Sequence, residues 1–122
     1  MARHIPGPLY CERQGKTGLP MVFLHSTPDD NRLWLFQTAH FANWYRTIAV
    51  DLAGYGRSPA PQEGVTMADQ AAAVWDLLDT ITDGPVIVQG NSMGSEVAMH
   101  MADQRPERMP CMILSGCGYL PD

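Results

Sequence analysis

The segment Pro85-Val86-Ile87-Val88-Gln89-Gly90-Asn91-Ser92-Met93-Gly94 sets a G-x-S-x-G pattern between an apolar run and a stretch of helical character. Strand, glycine-flanked serine, then helix is the nucleophile elbow, a sharp turn that lifts a serine clear of a strand end. A residue held that way sits in strained backbone, of a kind costing on the order of 1–3 kcal/mol. The positions two before and two after the serine come so close that side chains there would collide. Gly90 and Gly94 remove those side chains. The helix behind the serine aims N–H groups at the reaction site, favouring negative charge that develops there.

Around the elbow the pattern alternates. Residues 8–14 and 20–25 read as strands joined by the turn Gln14-Gly15-Lys16-Thr17-Gly18. Asp30 or Asn31 caps a helix expected to run to about Trp44, with Leu33, Leu35, Phe36, Ala39 and Phe41 as its apolar set. A strand over 45–51 leads into a loop rich in Gly and Pro over 52–65. Thr66 and Asp69 then read as a capping box. The helix they open places Ala71, Val74, Leu78 and Ile81 on one face, and Asp83-Gly84-Pro85 ends it. The elbow's own helix is predicted from about Met93 to Gln104, stopping before Pro106, and a final strand covers 110–115. Such alternation implies an α/β fold, a mostly parallel sheet with helices on both faces.

Two more motifs stand at strand ends. Leu19-Pro20-Met21-Val22-Phe23-Leu24 runs into His25-Ser26-Thr27-Pro28, and Tyr45-Arg46-Thr47-Ile48-Ala49-Val50 runs into Asp51-Leu52-Ala53-Gly54-Tyr55-Gly56-Arg57-Ser58. In these ordered motifs the chain resembles the α/β-hydrolase family, from about residue 8 to its end. The first is similar to that family's H-G-x-P turn and the second to its D-x-x-G-x-G-x-S loop. Asn91-Ser92-Met93-Gly94 and Arg105-Pro106-Glu107-Arg108 are similar to its esterase, haloperoxidase and carbon–carbon hydrolase branches. One departure is Ser26, which stands where the family usually has glycine and can narrow or re-aim the turn.

The chemistry expected follows from these positions. Ser92 would attack an acyl carbonyl or similar electrophile to form a covalent intermediate. Met93, directly after it, would offer one backbone N–H to the oxyanion. By the resemblance, Thr27 would offer the second, each donor being worth about 3 kcal/mol in the transition state. The resemblance makes His25 structural and Asp51 a loop-organising carboxylate. A serine needs a base and an orienting acid, and no histidine here fits. His4 lies near the terminus and His40 on the first predicted helix. His100 is roughly 12 Å along the elbow helix, leading away from the serine. Asp122, the first carboxylate beyond the final strand, reads as a frayed chain end rather than as the triad acid. Trp34, Phe36 and Tyr55 are read as core rather than as pocket lining.

Length completes the expectation. At 122 residues the chain has the size of one domain, while the resemblance implies a fold about twice as long. Residues 1–122 therefore read as the N-terminal half of an α/β-hydrolase fold, without the segment that carries acid, histidine and lid. The 110–115 strand becomes an exposed apolar edge. A second polypeptide carrying the C-terminal half, or an intertwined homo-oligomer, is expected to complete it, with a small molecule as substrate. A net charge of −5 with scattered Lys and Arg excludes a nucleic-acid surface. No apolar run suits a membrane helix and no signal segment opens the chain, so cytoplasm is the default. Cys11, Cys111 and Cys117 show no C-x-x-C spacing and read as buried reduced thiols; no metal or cofactor is expected. The alternative from another class is an inactive remnant serving as a binding or structural module.

Overall fold

The computed structural model describes residues 4–116; Cys117 and Asp122 lie outside the described residues. Five strands form one sheet in the order β1-β3-β2-β4-β5. They are β1 (Cys11–Gln14), β2 (Pro20–Leu24), β3 (Arg46–Val50), β4 (Ile87–Asn91) and β5 (Cys111–Ser115). β1 runs antiparallel to β3, and the other pairings are parallel. Central β2 is buried along its whole length, as a continuous apolar run in a parallel sheet should be. The β1 strand is shorter than the expected 8–14. Its predecessor Tyr10 keeps half of the next pairing, accepting from Asp51 N–H at 2.9 Å, but donates its own N–H to Ser58 Oγ at 2.8 Å, which ends the strand.

Side chains of alternate parity divide between the two faces of the sheet. Val22, Leu24, Ile48, Val50 and Val88 point toward the helices α2 (Met67–Asp79) and α3 (Met93–Gln104) and form the main core with Val74, Trp75, Leu78, Val97 and Met101. Fully burying side chains of this size contributes about 1.5–3 kcal/mol each. α2 opens with the capping box expected from the sequence: Thr66 Oγ1 accepts from Asp69 N–H at 3.1 Å, and Asp69 Oδ2 accepts from Thr66 N–H at 3.0 Å. α3 spans the residues predicted for it. The indole of Trp75 donates to the Met101 carbonyl at 3.2 Å, fixing α2 against α3.

On the opposite face Met21, Phe23 and Ala49 pack with Trp34. Here the expectation fails in detail. The helical segment begins as a 3-10 turn, Asn31–Trp34, capped by Asp30, and continues as α1 (Leu35–Phe41), ending before Trp44. A 3-10 turn advances three residues per turn instead of 3.6, which shifts the phase of the face. Trp34, Thr38 and Phe41 turn toward the sheet, while Leu33, Leu35, Phe36 and Ala39 are exposed, Phe36 by 81%. Phe36 is therefore not core.

β5 has no neighbour on its outer side among the described residues, and Met112 and Ile113 are exposed. Cys111 shares that exposure, correcting its reading as a buried thiol; apolar composition marks a strand but not whether its outer edge is covered. Cys11 is half-buried.

Candidate active site

The ends of β2, β3 and β4 come together on one edge of the sheet. β4 delivers Ser92, which adopts φ 54° and ψ −112° at the head of α3. That conformation is costly for a non-glycine residue and persists only when its surroundings over-determine it. They do so here. Ser92 N–H donates to the Ser115 carbonyl at 2.9 Å, and the Ser92 carbonyl accepts from Ser95 N–H at 2.9 Å and Glu96 N–H at 3.3 Å. Ser95 Oγ, fully buried, donates within 3.0 Å of both the Gly90 and Ser115 carbonyls. A Cβ at Gly90 would overlap the Gly94 carbonyl, and one at Gly94 would overlap the Leu24 carbonyl of β2 and come within 2.9 Å of that of His25.

Buried His25 directly follows β2. Its Nε2 accepts the Leu52 N–H at 2.9 Å, so Nδ1 carries the proton and donates to the Ser26 carbonyl at 2.9 Å. Both nitrogens are thus occupied. Ser26, in place of glycine, keeps an ordinary backbone: it is absent from the positive-φ residues, and its carbonyl also accepts Asp29 N–H at 2.8 Å. Its hydroxyl bonds the Asp29 carboxylate.

Buried Asp51 directly follows β3. Its carboxylate accepts from Asn31 N–H at 2.7 Å, Asn31 Nδ2 at 2.8 Å and Arg57 N–H at 2.9 Å. The group is occupied in holding two loops.

Of the three residues singled out from sequence, Thr27 and Met93 are in contact: Thr27 Oγ1 donates to Met93 Sδ at 3.1 Å. Ser92 is the chain neighbour of Met93 and half-buried. Met93 is the first residue of α3, so its N–H belongs to the orphan donors of a helix N-terminus. Tyr55, read from sequence as core, packs partly against the core but also reaches the site: its hydroxyl lies 3.4 Å from Thr27 Oγ1 and its ring meets His25 edge-on at 5.3 Å. No local pattern marks such a pairing across the chain. The described histidines other than His25 stand elsewhere. His40 packs against Phe41 and Trp44 on the far side of α1, and His100 is on the exposed flank of α3.

A cavity of about 590 Å³ lies away from Ser92, between β1, the Asn31 turn and the Asp51 loop. Among the described residues no group of three or more His, Cys, Asp and Glu could hold a metal ion, and no helix is long and apolar enough to cross a membrane.

Comparison with known proteins matches this arrangement. A family model for the alpha/beta hydrolase fold covers residues 20–121. The chain is 38% identical over 109 residues to the lipase LipV of Mycobacterium tuberculosis, covering 87% of this chain and 40% of that protein. Among solved structures it is similar to Est816, described as an N-acyl homoserine lactone degrading enzyme, with 31% identity and a TM-score of 0.83 over 92% of this chain and 45% of that one. A thermophilic esterase from Thermogutta terrifontis shares 28% identity and a TM-score of 0.82, covering all of this chain and 47% of its own. The chain thus spans less than half the length of each of these relatives.

Proposed function

The chain belongs to the alpha/beta hydrolase family, and on that premise we propose that it carries the nucleophilic half of a serine hydrolase acting on esters or related acyl compounds. The observation that carries this reading is the backbone of Ser92, held at φ 54° and ψ −112° against the first turn of α3. A residue with only a structural role has no use for that strain.

In the reaction Ser92 Oγ adds to the acyl carbonyl, a base accepts its proton, and the carbonyl oxygen becomes an oxyanion. The Met93 and Thr27 N–H groups donate to that oxygen. Expulsion of the leaving group, which takes up the proton, gives an acyl-enzyme that water hydrolyses. The names of the relatives, a lipase, an esterase and a lactone-degrading enzyme, support acyl chemistry. Both nitrogens of His25 are already bonded, and His40 and His100 stand away from Ser92; in this proposal the base and acid come from polypeptide other than the described residues. We infer that this polypeptide, a second chain or a C-terminal continuation, pairs with β5 and covers Ile113 and Cys111.

A fluorophosphonate probe applied to the assembled protein tests the reading. Labelling of Ser92, lost in Ser92→Ala, is the expected result. Absence of labelling in the assembled protein would leave a non-catalytic module that keeps the fold without its chemistry.

A further inference from the structure

Three loops that are far apart in sequence meet at one hydroxyl. Thr27 follows β2, Tyr55 lies in the loop after β3, and Met93 follows β4. Thr27 Oγ1 stands 3.1 Å from Met93 Sδ and 3.4 Å from Tyr55 OH. The direction of this chain follows from donor chemistry. A thioether can only accept, so the single Thr27 hydroxyl proton goes to sulfur. The remaining lone pairs of Thr27 Oγ1 then accept from the Tyr55 phenol. The order is Tyr55 O–H to Thr27 O–H to Met93 sulfur.

Tyr55 is itself well placed. Its ring meets the ring of buried His25 edge-on, and its N–H donates to the Leu52 carbonyl at 3.0 Å. Leu52 N–H is in turn held by His25 Nε2. The phenol therefore projects from a base fastened to the same turn whose tip it touches. Threonine has a stiff χ1, so fixing its hydroxyl also fixes its rotamer and resists rotation of the residue. Thr27 is exposed, in a turn whose backbone is closed by the bond from Asp29 N–H to the Ser26 carbonyl, so its side chain is held chiefly by these two contacts.

We propose that Tyr55 is a positioning residue, which acts through the Thr27 hydroxyl to hold the Thr27 N–H in register with the Met93 N–H. The inference rests on the reading of these two N–H groups as the oxyanion donors. Donors of that kind act by being already in place when charge develops, so loosening one costs turnover more than substrate binding.

Steady-state hydrolysis of a p-nitrophenyl ester by the assembled enzyme tests it. Tyr55→Phe keeps the ring against His25 and deletes only the phenol oxygen. It is expected to lower kcat about fivefold with KM within twofold. Thr27→Val, which keeps the shape and removes both bonds, is expected to lower kcat about tenfold, and Thr27→Ser to restore most of that loss. The double variant Tyr55→Phe with Thr27→Val should be no slower than Thr27→Val alone, since both act in one chain. Unchanged kcat in Tyr55→Phe, a change confined to KM, or additive losses in the double variant would overturn the proposal. Should Thr27→Val fail to fold, Tyr55→Phe decides alone. Ser92→Ala separates the two levels: persistent activity there ends the serine reading, whereas loss there with an unaffected Tyr55→Phe ends only this inference.

Discussion

His25 Nε2 accepts the backbone N–H of Leu52 at 2.9 Å, joining the turn after β2 to the loop after β3 inside a site that excludes water from both residues. A histidine so engaged is a strut. Replacing it with leucine, which is close in size, leaves the Leu52 N–H buried without an acceptor, at a cost of about 1–3 kcal/mol. His25→Leu is expected to lower the urea midpoint of the assembled protein accordingly. A variant that unfolds at the parental midpoint yet loses all labelling at Ser92 would instead make His25 the proton acceptor.

Gly94 and Gly84 make a matched pair. A Cβ at Gly94 meets the backbone carbonyls of Leu24, the last residue of β2, and of buried His25 directly after it, which cannot give way. Gly94→Ala must therefore push α3 off β2, costing about 1–3 kcal/mol. Nothing lies within 4 Å of a Cβ at Gly84, and its backbone is not in the left-handed region. Gly84→Ala is expected to be neutral, or to stabilise by about 0.5 kcal/mol by narrowing the unfolded ensemble. Equal unfolding midpoints for the two variants would contradict this packing.

What the sequence disclosed was local. Gly90, the Thr66–Asp69 box and the bounds of α3 depend on neighbours within a few residues, and the structure repeats them, whereas the need for glycine at 94 comes from β2, far away in sequence. Trp34 and Phe41 were legible as core, but Thr38 was not, and Leu33, Leu35, Phe36 and Ala39 were misplaced, because one 3-10 turn shifts the phase of the inward face. The exposure of β5 was hidden for another reason: its apolar residues read alike whether or not a strand lies beside them. The bonds His25–Leu52 and Tyr55–Thr27–Met93 join distant segments and follow no period.

The two described cysteines stand on opposite edge strands, Cys11 on β1 and Cys111 on β5. Cys11 is half-buried, and its thiol is pushed up first by burial, with Arg13 opposing and Asp51 adding to the shift. Fewer thiolates form there, and the thiolate is the reactive species. Cys111 is exposed on β5. In the chain without its completing polypeptide, maleimide at neutral pH is expected to modify Cys111 at least tenfold faster than Cys11, as read by peptide mass spectrometry. In the assembled protein Cys111 should be protected. Equal labelling of Cys111 in both forms would show that nothing docks on this strand.

Asp79, at the end of α2, takes Arg105 and Arg108 together, at 2.8 and 2.7 Å, and both guanidinium groups lie over the Trp75 ring. Its carboxyl is held below the ordinary value of 3.8, first by the hydrogen bond from Arg105, against a smaller opposing effect of burial, and then by Arg108. The folded protein therefore gives up this proton more readily than the unfolded chain. The resulting stability is present in full above about pH 4 and is lost as pH falls through the lower folded value. Because the carboxylate is 43% exposed, solvent screening keeps the contribution within about 1 kcal/mol. Asp79→Asn should destabilise by that amount at pH 7 and flatten the decline in stability between pH 4 and pH 2. A variant whose loss is the same at pH 7 and pH 2 would show that Asp79 acts through packing rather than through its charge.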